Sequence, residues 1–325
     1  MRALVVSNML PGESHPERGR FVRDQVGALR TLGELDVELY EFAPGPRALA
    51  GAARDLRRRY AGRRFDVVHA HFGLSAWPAL AVRARGRALT VHGTDVRHPR
   101  TRVATRLVLP TVGLLAAASQ ALLLEIPGHR ARARAHVLPC GVDTERFVPL
   151  PRQAARAELG LDVHGPYLLF PSDPARPEKR YDRAEALARA LDAPLLTLGG
   201  VEPKRVPLYV NAANAVLVPS EREGFGLAVL EALACEVPVL ATPVGIHAEA
   251  LGTSQGTTPG GAYTEALQGT LCAPYELERW RAAAAPYVAT ADPRVAGRER
   301  AERFSATRMA ERVADAWRLL VAEAG

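Results

Sequence analysis

Lysine is nearly absent from this chain. Of 42 basic residues only Lys179 and Lys204 are not arginine. Cysteine is scarce as well: Cys140, Cys235 and Cys272 are scattered, odd in number and form no Cys-x-x-Cys, which excludes a disulfide framework or a zinc site and fits a reducing compartment. Aromatic residues make up 6% and no aromatic strand platform accompanies the basic charge, so nucleic acid is not an expected partner. The longest apolar stretch, residues 107–126, is interrupted by Pro110, Ser119, Gln120 and Glu125 and reads as a buried strand running into a helix rather than a membrane span. The opening apolar run from Ala3 is broken by Ser7, Asn8 and Pro11, so no signal peptide is expected. No Asp-x-Asp occurs to form a metal-dependent carboxylate site, and no Gly-x-Gly-x-x-Gly follows the first strand, which argues against a dinucleotide dehydrogenase. The one Gly-x-Ser-x-Gly, Gly252-Thr253-Ser254-Gln255-Gly256, lies in a Gly/Thr-rich stretch (252–264) with no strand leading into it, so it is not a nucleophile elbow.

What is present is an alternation. Short continuous apolar runs at 3–7, 37–41, 66–69, 88–92, 113–118 and 136–139 read as parallel strands covered on both faces, with helical patterns at 20–32, 48–60, 77–85 and 120–126 between them. The pattern restarts with strands at 167–170, 195–198, 215–218 and 237–242, and closes on an amphipathic helix over 298–323. At 325 residues and 48% apolar content, this predicts a globular α/β protein of two doubly wound units joined near residues 143–152. Charge is uneven: residues 1–148 hold 23 arginines against 13 acids, with Arg54, Arg57, Arg58, Arg59, Arg63 and Arg64 crowding one helix and Arg83, Arg85 and Arg87 following. Such a surface suits an anionic membrane face or a phosphate-bearing acceptor, and equally an arginine-biased composition.

Residues 219–245 carry the most chemistry. After the strand 215–218, Glu223 and Glu231 bracket Gly224-Phe225-Gly226, which opens a helix at Leu227. Gly224 and Gly226 lack the Cβ that would keep a ligand off the backbone, and the first amides of the helix, near Gly226, Leu227 and Ala228, make a phosphate site. A carboxylate beside an anion site does best by accepting hydrogen bonds from hydroxyls, so phosphate flanked by sugar hydroxyls describes a nucleotide-diphosphate sugar. Lys179, in a loop past the strand 167–170, is a compact ammonium in an arginine-rich chain, which points to a need for a point charge on phosphate. His92 sits at the carboxyl edge of a strand, where open parallel sheets place ligands. His69-Ala70-His71 also ends a strand; its spacing could ligate a metal, but no third ligand is evident, and a structural or acceptor-side role is expected.

The unit Pro219-Ser220-Glu221-Arg222-Glu223-Gly224-Phe225-Gly226 with Leu230-Glu231-Ala232 resembles the Glu-x7-Glu signature of retaining glycosyltransferases of the GT-B fold, in particular family 4 (group 1). Leu138-Pro139-Cys140-Gly141-Val142-Asp143 resembles that family's interdomain joint, with Cys140 where Asn is common. The resemblance implies two Rossmann-like domains facing across a cleft: residues 1–147 on the acceptor side and 148–303 holding the nucleotide sugar, with a helix over about 304–325 packing back on the first domain. It implies Glu223 on the sugar hydroxyls, Glu231 on the ribose, and His92, Glu223 and Lys179 as the catalytic set. Donor-binding groups would be Arg176, Lys179, Gly224, Phe225, Gly226, Leu227, Ala228 and Glu231. The family's usual arginine five residues before the lysine is Pro174 here, so either Arg176 substitutes or that contact is absent. Gly19 matches the family's diphosphate loop, residues 199–207 its nucleobase loop, and Glu249 a common acid without a derivable role. No metal and no tightly bound cofactor are implied. The donor would be a UDP-sugar first and a GDP-sugar second, and the acceptor a glycan or lipid-linked sugar of cell-envelope polysaccharide or glycolipid synthesis, on the cytoplasmic side and peripheral to the inner membrane face. Two other readings stay open: a nucleotide-sugar epimerase or hydrolase, and a non-catalytic membrane- or polyanion-binding protein of the same fold.

Overall fold

The structure, a computed structural model, describes residues 1–13, 15–251 and 269–324; the Gly-x-Ser-x-Gly at 252–256 and the rest of the Gly/Thr-rich stretch lie outside the described residues. The chain forms two compact units, Met1–Gly141 with Ala306–Gly325, and Val142–Ser305.

The first unit is built on a parallel sheet of β1 (Arg2–Ser7), β2 (Asp36–Glu41), β3 (Arg64–His71), β4 (Arg83–Val91), β5 (Leu114–Ala117) and β6 (Ala135–Val137), in the order β2-β1-β3-β4-β5-β6. The strands at its centre are buried along nearly their whole length, as parallel strands covered by helices must be. The helix Arg20–Thr31 presents Val22, Gln25, Val26 and Leu29, spaced by three and four, to one sheet face. Its neighbour on that face is the last helix, Ala306–Glu323, which contributes Met309, Ala310, Val313, Ala314, Trp317 and Leu320 to the same core. Gly86 and Gly113 leave the room Leu320 fills: a Cβ on either would stand 2.6 Å from a Leu320 carbon.

The second unit carries β7 (Leu168–Phe170), β8 (Leu195–Thr197), β9 (Ala215–Val218), β10 (Val239–Ala241) and β11 (Leu271–Cys272), also parallel, in the order β11-β10-β9-β7-β8. Leu168, Phe170, Leu187, Leu217, Leu240, Trp280 and Ala284 form its core. Both sheets reverse their winding once. The chain leaves β1 for β2 and returns to β3 on the other side of β1; it leaves β7 for β8 and returns to β9 on the other side of β7. Loops diverge at such a reversal, and the crevice left at the strand carboxyl ends is where open α/β sheets take ligands.

Two sequence expectations need correction, and one strand went unseen. The helix expected over 298–323 is two helices, Arg298–Glu302 and Ala306–Glu323, because the chain between them is drawn into a bridge of Ser305 with Val142, whose N–H donates to the Phe304 carbonyl at 2.8 Å. The helix expected over 77–85 is Gly73–Ala79, since β4 extends back to Arg83 to pair with Arg64 of β3. The two-residue strand β11 carries too little pattern to be seen in sequence.

The close seat of Leu320 gives a test. Gly86→Ala should destabilise the protein by about 1–3 kcal/mol through overpacking, and Gly86→Ala with Leu320→Ala should cost less than the two changes summed. Urea denaturation of the four proteins in this cycle measures the coupling.

Candidate functional site

In the second unit two loops meet at the reversal point, one after β7 and one after β9. A backbone bond from Glu221 N–H to the Glu178 carbonyl (3.0 Å) ties them, and the Arg180 guanidinium bridges Glu221 and Asp182. Arg183 adds a bond to the Pro219 carbonyl at 3.2 Å. This lashing sets the Lys179 Nζ 2.7 Å from both Glu223 oxygens, while the Ser220 hydroxyl donates to Glu223 Oε1 at 2.8 Å. Both partners are shielded, with 16% of the Lys179 side chain and 8% of the Glu223 side chain exposed. Burial alone would push the Glu223 carboxyl up. The Lys179 ammonium, with His247 and the Ser220 hydroxyl, outweighs that and holds it below the ordinary glutamate value.

The turn beyond Glu223 is shaped by two glycines and a histidine. Gly226 caps the helix Leu227–Ala234 with φ +111°, so a side chain there would be strained. It would also collide, since a Cβ would fall 2.4 Å from His247 Nε2. Gly245, at φ +60°, lies so close beneath the turn that a Cβ would fall 2.1 Å from the Phe225 carbonyl oxygen and 2.9 Å from Glu223 Cβ. That carbonyl accepts the Ile246 N–H at 2.9 Å, which pins the turn to the segment after β10. Leu227 and Ala228 head the helix, where backbone amides have no intrahelical acceptor, and both are half-buried rather than sealed. His247 is wholly buried and its Nδ1 lies 2.9 Å from the Thr242 carbonyl. A carbonyl only accepts, so Nδ1 carries the hydrogen. Burial pulls this imidazole below its ordinary value, Glu223 works against that shift and Lys179 adds to it.

In the first unit, histidines and aromatics gather at the ends of β3 and β4. The Trp317 indole N–H donates to His69 Nδ1 at 3.1 Å, so His69 carries its proton on Nε2, 2.8 Å from Thr90 Oγ1. His71 Nδ1 and His92 Nε2 are 2.9 Å apart, and the two rings stack at 5.1 Å between centroids. Phe21 and Phe72 close on His92, with centroids 4.7 and 4.8 Å away. Phe72 takes φ +70°, a strained backbone for a bulky residue. Buried Asp95 organises the next turn by accepting N–H bonds from His92 at 3.0 Å, Gly93 at 2.8 Å and Gly73 at 3.2 Å. His92 keeps some surface, yet this packing desolvates its ring. Burial, then the charge His69 would carry, pushes it down to about 3, and burial alone takes His69 to about 3. His71 falls well below its ordinary value for the same first reason.

Lys179, Glu223, Gly224, Gly226, Leu227 and Ala228 thus come together, and Glu231 lies half-buried further along the same helix. Arg176 stands just ahead of the lysine turn, its guanidinium on Glu178 at 2.7 and 3.0 Å. Phe225 differs from the rest: its ring is buried against Phe304, so its backbone is what a ligand could reach. Gly199, opening the 199–207 loop, lies against Asp173 and Pro174, whereas Glu249 is exposed. Gly19 has φ +69° and heads the helix that carries Phe21. A Cβ there would meet the Met9 carbonyl oxygen at 2.4 Å. His247 was not singled out by sequence, and His71 and His92, each noted there after its strand, were not read as a pair. Among the described residues no group of three or more His, Cys, Asp or Glu side chains could hold a metal ion, and no helix is long and apolar enough to cross a membrane.

Comparison with known proteins places these features. The model of glycosyltransferase family 4 matches residues 4–146, and that of the glycosyl transferases group 1 matches residues 153–289. A D-inositol 3-phosphate glycosyltransferase of Frankia alni is 30% identical over 258 residues, 62% of this chain and 63% of its own length. The chain therefore spans under two thirds of that curated relative. Among solved structures, a sucrose-phosphate synthase from Thermosynechococcus elongatus aligns with a TM-score of 0.71 at 18% identity, covering 99% of both chains. Anabaena HepE in complex with UDP-glucose aligns at 0.65 and 17% identity, over 98% of this chain and 100% of that one. The chain belongs to the group 1, family 4 glycosyltransferases and has their GT-B fold of two parallel-sheet α/β units.

The buried histidines make stability pH-dependent. In the unfolded chain each titrates near 6.5, but folded His69 and His92 stay neutral down to about 3. Between those values the unfolded state binds protons that the folded state does not, so stability is full above about pH 6.5 and falls as pH drops, by roughly 1.4 kcal/mol per unit for each histidine. Urea midpoints at pH 8, 6 and 5 should decline in that order, and His69→Gln should flatten the decline.

Proposed function

We propose that this chain is a retaining glycosyltransferase that moves a hexosyl group from a nucleotide-diphosphate sugar, UDP- first and GDP- second, to a glycan or lipid-linked acceptor. The observation that carries the reading is the shielded Lys179–Glu223 pair beside the Gly226 turn at the reversal point of the second sheet. In this reading the donor's diphosphate lies over the amides of Gly226 to Ala228. Lys179 leaves Glu223 to bind it, with Arg176 free to swing from Glu178 to the same phosphates. Glu223 then accepts the hydroxyls of the sugar, and Glu231 those of the ribose. Negative charge grows on the departing nucleoside diphosphate, so the main catalytic contribution is electrostatic: a preset ammonium and helix amides where that charge develops. His92, held neutral by its packing, serves the transferred sugar as a hydrogen-bonding group, and Gly19 belongs to the diphosphate loop of the first unit.

Support for the substrate class comes from names. The Anabaena structure holds UDP-glucose, and the Frankia relative is named for D-inositol 3-phosphate. The exposed arginines Arg54, Arg57, Arg58, Arg59 and Arg64 favour an anionic surface or acceptor for the first unit and a place on the cytoplasmic membrane face.

A thermal-shift screen of UDP-, GDP- and ADP-sugars tests the donor: the right one at about 100 times its Kd should stabilise the fold by about 2.7 kcal/mol. Lys179→Ala and Glu223→Ala should each cut transfer by about 10²–10³-fold, and Gly226→Ala should abolish donor stabilisation. Stabilisation by no nucleotide sugar would overturn the reading. Rapid donor turnover without any acceptor would replace it with a hydrolase or epimerase.

A further inference from the structure

Resting on that donor reading, we propose that His247 takes up a proton from solvent when a nucleotide-diphosphate donor draws Lys179 off Glu223, so that the buried carboxylate keeps a cationic neighbour. One ammonium cannot serve both partners at full strength. Lys179 now touches both Glu223 oxygens at 2.7 Å, beside the Ser220 hydroxyl at 2.8 Å, and its departure takes away the charge that most strongly favours the ionised carboxylate. Buried as it is, the carboxylate favours a replacement cation when that ammonium moves away.

His247 is built for that task. Its Nδ1–H is committed to the Thr242 carbonyl, which leaves the lone pair on Nε2. Nε2 is buried, has no hydrogen-bond partner among the described residues and points at the Gly226 turn. A proton can add there without breaking a bond or changing the tautomer: neutral imidazole and one solvent proton give imidazolium, still donating through Nδ1. The charged groups around the ring decide when this happens. Glu223, from the loop after β9, favours the imidazolium, and Lys179, from the turn after β7, opposes it. Glu231 lies on the helix Leu227–Ala234, Glu249 is exposed on the histidine's own helix, and Arg300 reaches across to the Ala250 carbonyl at 3.3 Å. Moving Lys179 onto phosphate removes the main opposing charge and leaves the favouring one. His247 acts through Glu223 and is a positioning residue.

Two measurements test this. In the first, ligand-free protein is titrated by NMR with labelled imidazoles. Lys179→Met should raise the His247 midpoint by about 1 unit or more, and an unmoved midpoint overturns the proposal. In the second, UDP-glucose, whose diphosphate exchanges no proton near neutral pH, is bound in buffers of different ionisation enthalpy. Wild-type protein should take up protons, and His247→Asn, which keeps a donor to Thr242, should bind UDP-glucose with none. Zero uptake by wild type on binding, or equal uptake by His247→Asn, overturns it. Failure of UDP-glucose to bind at all counts against the donor reading, and the ligand-free titration then decides this one by itself.

Discussion

Glu223 is a negative charge carried into the interior of the second unit, and the Lys179 ammonium makes it tolerable there. Everything around the pair serves that contact: the backbone tie between their loops, the arginines that brace those loops, and the glycines that let the turn come close. The choice of lysine has physical meaning in a chain that writes all but two positive charges as arginine. A guanidinium would grip both carboxylate oxygens through a rigid fork and be slow to exchange partners. An ammonium is a point charge on a flexible stem and can move to a competing anion. The pair is therefore better understood as a resting position than as a staple.

Strands were easy to see because parallel strands between helices must be apolar along their length, and β1, β5 and β9 are. The break between Arg298–Glu302 and Ala306–Glu323 was hidden, because its cause, the Val142–Ser305 bridge, joins residues far apart in sequence. The same limit applies to the candidate site. Glu223 and the Gly226 turn stand in one short motif, and Lys179 stands out by rarity, but nothing local says that they touch. His247 was less visible still. Its significance comes from a missing Cβ on Gly226 and a missing partner for Nε2, and both are facts of packing.

The first unit handles its ionisable groups by the opposite strategy. His69, His71 and His92 are kept uncharged by crowding, and the His69 proton is directed by a neighbour that can play only one role. Trp317 can only donate, so His69 must accept on Nδ1 and donate from Nε2. Asp95 accepts backbone N–H groups and so holds the turn that carries His92. The strained Phe72 backbone is paid for by this surrounding order, which brings its ring onto His92.

Trp317 and Leu320 are also notable for when they arrive. They complete the interior of the first unit, yet more than 160 residues belonging to the other unit separate them from Gly141. During synthesis the second unit is fully extruded while the first still lacks one wall of its core. That helix must emerge from the ribosome before His69 meets its indole and Leu320 fills the space over Gly86. The first half of the polypeptide to be made is thus the last to reach its finished state.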